Sequence, residues 1–243
     1  MNTANDIWVY LAASPLIWLA LTLVVYRGAQ EVQRRGGGHP VLNPVLISVA
    51  VLVAILSLTQ TPYARYFDGA QFVHFLLGPA TVALAVPLHG QLPRLVALWR
   101  PLAIALVAGS MAAALSAYLI AGWLGASVAT QLSLAPKSVT TPIAMGIAER
   151  LGGLPSLTAV LVILTGILGA VAGDGLLKRL GAQDDASIGF ALGVASHGIG
   201  TARAFQISET AGAFAALAMG LNGLLTAVAL PLLLPWIARL LGN

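Results

Sequence analysis

Between two apolar runs the chain reads Leu134-Ala135-Pro136-Lys137-Ser138-Val139-Thr140-Thr141-Pro142-Ile143-Ala144, or LAPKSVTTPIA. A lysine, a serine, two threonines and two prolines in so greasy a context demand an explanation. What they are for depends on the medium around them.

Of the 243 residues, 58% are hydrophobic and 8% are charged, and the mean hydropathy is +0.91. A water-soluble globule would lack the charged surface to cover itself, so the chain reads as an all-α integral membrane protein. Charged residues separate long uncharged stretches at 7–26, 36–64, 69–93, 101–136, 151–173 and 210–238. Most reach or pass the roughly 20 residues that span a bilayer as helix. One cleaved signal peptide cannot account for so many. There is no cysteine, and His39, His74, His89 and His197 lack metal-ligand spacing, so neither a metal nor another cofactor is expected. The net charge of +4 comes from basic residues placed singly in loops, as topology signals are, and nucleic-acid binding is not expected.

The chain is expected to form one polytopic membrane domain, with scaffold spans in residues 1–62 and a core in residues 63–243. About eight crossings follow if every broken region crosses fully. Clean spans are expected at 7–26, 44–60, 101–123, 155–177 and 212–237. Broken ones are expected at 70–89, 127–150 and 187–207, with interruptions near 77–81, 135–142 and 195–203. Loop charge then puts Arg27, Arg34, Arg35, Arg94, Arg100 and Arg150 on one side, and Arg65, Lys178, Arg179 and Arg239 on the other. The excess favours the first set in the cytoplasm and both termini outside.

A faint repeat runs through the broken regions. At an offset of 60 residues Thr141 meets Thr201, Ala144 meets Ala204, Ile147 meets Ile207, Glu149 meets Glu209 and Gly152 meets Gly212, while Lys137 falls on His197 and Thr81 falls on Thr141. Duplicated units with interrupted helices are what secondary transporters are built from, although inverted and parallel duplication look alike in sequence.

An ammonium inside a membrane costs several kcal/mol unless it is paired, hydrated or facing a cavity, so Lys137 needs compensation. Ser138, Thr140 and Thr141 offer hydroxyls, and Pro142 suits the first turn of a helix whose free N–H groups face an anion. The companion stretch Ala195-Ser196-His197-Gly198-Ile199-Gly200-Thr201-Ala202-Arg203 has the same pattern, with two glycines that permit an unwound backbone. A small carboxylate fits Lys137, Ser138, Thr140, Thr141, Ser196, His197, Thr201 and Arg203, with Thr81 of the GPAT segment as a further hydroxyl. His197 and Glu209 are the candidates for proton coupling. Plainer readings stand beside these. Lys137 snorkels to an interface, His197 is a satisfied structural imidazole, Arg203 pairs with Glu209, and Asp174 pairs with Lys178 one turn on.

At LLGPATVALAVPL (residues 76–88), the LAPKSVTTPIAMGIAERLGGLPSLTAV run (134–160), GILGAVAGD (166–174) and ASHGIGTARA (195–204), the chain resembles the LrgB/CidB family of bacterial inner-membrane proteins. Glu209 and Gly212-Ala213-Phe214 extend the likeness, which covers roughly residue 42 to the C-terminus. The resemblance implies a multi-pass bacterial inner-membrane protein whose fold groups with cation/proton antiporters and anion transporters, with discontinuous helices near the membrane middle. For function it implies two things. One is antiholin-like or holin-like control of murein hydrolase activity and cell lysis, acting with a smaller LrgA/CidA-like membrane partner. The other is monocarboxylate transport, since a plastid relative exchanges glycolate and glycerate and bacterial relatives are linked to pyruvate uptake. The LrgA-like half is absent from this chain, which points to a second subunit.

Transport explains the polar interruptions. The antiholin-like reading explains the family label but requires no ordered anion site. An intramembrane enzyme ranks third, because Ser196 and His197 as sequence neighbours need not face each other. Few spans remain to shield the interruptions from lipid, so a homo-oligomer is expected, with a dimer as the commonest closed symmetry.

Overall fold

The computed structural model describes residues 15–240, and the only regular elements among them are helices. The expected span at 7–26 lies partly outside the described residues. The chain divides into two compact units that meet in sequence at Ala83 and Leu84. By length and composition four helical stretches suffice to cross a membrane: Tyr63–Gly90, Trp99–Trp123, Pro155–Arg179 and Glu209–Trp236.

The first unit holds α1 (Pro15–Arg35), a 3-10 turn (Pro40–Leu42), α2 (Pro44–Leu58), α3 (Tyr63–Phe75) and α4 (Leu77–Ala83). Gly69 lets α3 press against the Pro15 carbonyl and Trp18, where any side chain would collide. Trp18 is fully buried, edge-on to Tyr66 at 6.1 Å between centroids, and Tyr66 also meets the Thr22 hydroxyl at 3.1 Å. Asn43 caps α2 by accepting from the Val45 and Leu46 amides, and Pro44 opens that helix where an N–H would have no partner.

The second unit begins with α5 (Ala85–Gly90) and α6 (Leu92–Ala97). Then come α7 (Trp99–Trp123), α8 (Val128–Leu134), α9 (Thr141–Leu151), α10 (Pro155–Arg179), α11 (Asp185–Ile207) and α12 (Glu209–Leu240). The decisive feature is α11, which is two helical arms joined at Ser196 and His197, the two residues with non-helical backbone angles. A side chain on Gly200 would lie 2.5 Å from the Leu192 carbonyl oxygen. In an unbroken helix those residues are about 12 Å apart along the axis. Ala204 of the second arm shares a cluster with Ile188 and Leu192 of the first, so α11 is a hairpin that returns to the end it came from.

Its neighbours fix its direction. Gly189 and Gly193 of the first arm press on Ala211 and Ala215 of α12, whereas Thr201 of the second arm reaches back to Met219. On the other side Gly169 and Gly173 of α10 receive Ser196 and Leu192. Rising numbers in α10 therefore match falling numbers in the first arm, and that arm runs parallel to α12. The two long helices α10 and α12 are antiparallel.

A second hairpin precedes α10. After α8 the chain turns through 135–140, with Lys137 N–H on the Leu134 carbonyl and Val139 N–H on that of Pro136, and returns as α9. Gly152 ends α9 in the left-handed conformation that glycine adopts freely. The Leu154 amide then donates 2.7 Å to the Ser133 hydroxyl, and the Thr158 hydroxyl donates to the Ser133 carbonyl, which pins the start of α10 beside α8. The first hairpin thus opens at the end where α10 starts, and the α11 hairpin at the end where α12 starts. Because those helices are antiparallel, the duplication at an offset of 60 is inverted, with two hairpins entering from opposite ends.

This arrangement corrects the crossing count and the charge map. Regions 127–150 and 187–207 turn back instead of crossing, so about eight crossings are not observed. Arg94 lies 3.6 Å from Asp184, which places Arg94 and Arg100 at the same end as Lys178 and Arg179, while Arg150 and Arg239 share the other. The sequence expectation had split them differently, because each turned-back region reverses the side of everything after it.

The fold makes a paired expectation for α10. A Cβ on Gly169 would fall on the Ser196 hydroxyl, whereas Gly175 has nothing within 4 Å. Gly169→Ala should lower the melting temperature of the detergent-purified protein, by an overpacking penalty of about 1–3 kcal/mol. Gly175→Ala should leave it unchanged or raise it slightly, through helix propensity. Equal effects on thermal unfolding would mean that the hairpin does not seat in the glycine notch.

Candidate functional site

The hairpin tips meet at Asn222, near the midpoint of α12's apolar stretch. Asn222 is 1% exposed. Its Nδ2 donates to the Val194 carbonyl (2.9 Å), just before the break in α11, and to the Ser138 carbonyl (3.3 Å), in the tip of the first hairpin. Its Oδ1 accepts from the Ser110 hydroxyl of α7, and at 3.1 Å from Thr226 one turn along α12. One amide thereby fills both donor and both acceptor sites and ties four segments together near the middle of that stretch. Sequence reasoning missed it, because a single Asn in a clean apolar span carries no pattern. Its signal was that it is the only asparagine in the long apolar run 210–238.

At the first tip, Lys137 is half-buried, and its Nζ approaches the Ser138 hydroxyl at 3.4 Å. Among the described residues no carboxylate lies within ion-pair distance of it. Thr140 occupies the N-cap position of α9 in extended conformation without making a side-chain cap bond, and Thr141 and Pro142 open the helix. An uncompensated ammonium, two hydroxyls and the positive end of a helix therefore share one turn of chain. Such groups are of the chemical kind that can bind an anion.

At the second tip the backbone is held in an unusual state. His197 has φ 42° and ψ −134°, a region almost reserved for glycine, with a penalty of roughly 1–3 kcal/mol that the surroundings must impose. Gly166 makes room for the ring, Nε2 donates to the Val162 carbonyl at 3.0 Å, and the Thr201 hydroxyl bonds the His197 carbonyl at 2.8 Å. Ser196 is buried against Gly169. His197 thus braces the break through Val162. Thr141 and Thr201 occupy matching places, each in the first turn of a returning arm: Thr201 meets Met219, and Ile143, two residues after Thr141, meets Gly223 one turn along α12.

The remaining candidates lie elsewhere. Arg203 sits nearer the open end of the α11 hairpin, 3.6 Å from Asp174 of α10, so its acidic partner is Asp174 and not Glu209. Asp174 also holds Lys178, at 2.9 Å. Glu209 is exposed in the first turn of α12. Thr81 lies in the first unit, its hydroxyl bonded to the Leu77 carbonyl. A cavity of about 380 Å³ between α7 and the first arm of α11 is lined by Leu102, Gly109, Phe190, Val194 and Phe214. With no charged group in its walls, it is not an anion site.

Opposed hairpins with polar tips, held between antiparallel long helices, define an integral membrane protein with an inverted repeat. Residues 22–236 match the LrgB-like family, and the chain belongs to it. It is 39% identical to the uncharacterized protein YwbG of Bacillus subtilis over 90% of this chain and 97% of that one. It is 34% identical to an uncharacterized protein of Haemophilus influenzae, over 88% and 93%. Against the antiholin-like protein LrgB of Bacillus mycoides it is 28% identical, over 92% and 97%. No solved structure matches the chain.

The Asn222 knot has a measurable consequence. Asn222→Leu keeps the volume but orphans the Val194 and Ser138 carbonyls, each worth about 1–3 kcal/mol when buried without a partner. The variant should melt well below the wild type in detergent, and Ser110→Ala, which leaves both carbonyls bonded, should melt less far below. A Leu variant as stable as the wild type would show that the tips are held by something else.

Proposed function

We propose that the chain is a secondary transporter of small monocarboxylates, of the size of glycolate, glycerate or pyruvate, that holds the substrate carboxylate at the hairpin tips. The observation that carries this reading is Lys137, an ammonium half-buried at a break between helices with no carboxylate among the described residues to balance it. A substrate anion supplies the missing charge, and Thr140, Thr141 and the first turn of α9 supply hydrogen bonds to it. Opposed broken helices that meet near mid-membrane are also the architecture by which inverted-repeat transporters expose one site alternately to two sides, as in the antiporter and anion-transporter group.

Within the second unit, four basic loop residues at the Arg94 end (Arg94, Arg100, Lys178 and Arg179) against two at the other (Arg150 and Arg239) support placing that end in the cytoplasm of a bacterial inner membrane. We assign the protein no enzymatic role, since the Nε2 of His197 is engaged by Val162 and not by Ser196. The working unit is a homodimer, with an LrgA/CidA-like membrane subunit as a second partner, and mass measurement of the lipid-extracted protein tests both. A second reading has its own support. Relatives carry the name antiholin-like protein LrgB, which favours a regulator of murein hydrolase activity and lysis.

Reconstitution in liposomes separates the two. The wild type should take up labelled monocarboxylates, and Lys137→Met should abolish uptake while leaving yield and melting temperature intact. Lys137→Arg should restore little, because a wide planar fork replaces a compact point charge. Full uptake by the methionine variant would refute the Lys137 site. No uptake by the wild type, with altered lysis in cells, would favour the regulator.

A further inference from the structure

Asp174 is the most withdrawn carboxylate of the second unit, with its side chain 13% exposed, and it faces Arg203, 12% exposed. The other carboxylates of that unit lie at its ends: Glu149 and Glu209 are exposed, Asp184 is 53% exposed and paired with Arg94, and Asp185 opens α11. Resting on the transport reading, we propose that Asp174 is the proton-carrying group of this transporter, and that it competes with the substrate carboxylate for Arg203.

The Asp174–Arg203 pair is loose. The closest approach is 3.6 Å, and the buried Nε of Arg203 has no hydrogen-bond partner. A guanidinium fork that meets one carboxylate edge at such a distance keeps capacity for a second. Its outer Nη1 donates to Gln206 at 3.1 Å, which holds the side chain without neutralising it. Arg203 also belongs to the returning arm of α11, which starts at His197. Arg203 lies about 9 Å from the tip along the axis of its arm.

The charged groups facing Asp174 are few. The returning arm of α11 brings Arg203, and α10 itself brings Lys178, which is mostly exposed and has water to replace its partner. The first arm of α11 presents Leu192 at neighbouring Gly173, α8 has no ionisable side chain, and α9 has its Glu149 and Arg150 at the opposite end. The two groups named from sequence serve less well, since His197 gives its Nε2 to Val162 and Glu209 stands in the open at the bundle end.

The exchange balances. A proton from the aqueous side binds the Asp174 carboxylate and removes its negative charge. On its way to the Lys137 site the substrate carboxylate then takes the place of that charge beside Arg203, so the local charge there is the same before and after. When substrate leaves, Asp174 releases its proton and recovers Arg203. One proton moves with one monocarboxylate in the same direction, which makes the cycle electroneutral.

Proteoliposomes carrying purified protein test this with labelled pyruvate in two modes: uptake driven by an inward proton gradient, and exchange against internal unlabelled pyruvate without a gradient. The wild type should do both, and an imposed membrane potential should not change the driven rate. Asp174→Asn, a permanent mimic of the protonated form, should keep exchange while losing gradient-driven accumulation at least tenfold. Asp174→Glu should restore part of it. Arg203→Gln, read in parallel should the Asn variant fail to fold, should raise the KM for exchange at least tenfold and flatten its pH dependence. Gradient-driven accumulation by Asp174→Asn at the wild-type level would overturn the assignment while leaving the transport reading in place. Absence of both modes in the wild type would overturn both.

Discussion

The second unit is organised around the Asn222 side-chain amide. A helix broken inside a membrane leaves backbone groups that lipid cannot satisfy, each at a penalty of several kcal/mol. Two breaks at one depth double the problem. Asn222 meets both from one point, donating to Val194 and to Ser138 while its oxygen accepts from Ser110 and Thr226. Because the carbonyls belong to hairpins that enter from opposite ends, the same four bonds set the depth of each tip and the spacing between them.

The glycines of α10 and α12's partners do the complementary work. Gly166 and Gly169 clear a notch for His197 and Ser196, and Gly189 and Gly193 bring the first arm into backbone contact with α12. Close approach on both sides holds His197 in a backbone conformation that a non-glycine residue would otherwise leave. Packing supplies the constraint and the strained tip is its product.

The charges divide by depth. Lys137 stands alone at the tip, whereas Arg203, Asp174 and Lys178 form a chain that leads from the interior of the α11 hairpin to its mouth. The lone ammonium and the largely buried carboxylate lie in separate segments, the turn of the first hairpin and α10. Both belong to the segment that matches the LrgB-like family.

The sequence by itself determined the medium, the helical class and the places where helices break. Composition forces the first two, and Pro136, Pro142, Gly198 and Gly200 among hydroxyls and charges mark the third. It also contained the repeat, through Thr141 with Thr201 and Gly152 with Gly212, and it paired Asp174 with Lys178 through their spacing of one turn. Tertiary structure alone decided that the broken regions turn back, that the duplication is inverted, and that Arg203 faces Asp174 and not Glu209. The reason is geometric. A break permits any angle between its two arms, and only the glycine notches of α10 and the α12 contact select reversal. Asn222 was illegible for the same cause: one amide in an apolar helix becomes a keystone only when two carbonyls from distant stretches of chain arrive within 3.3 Å of it.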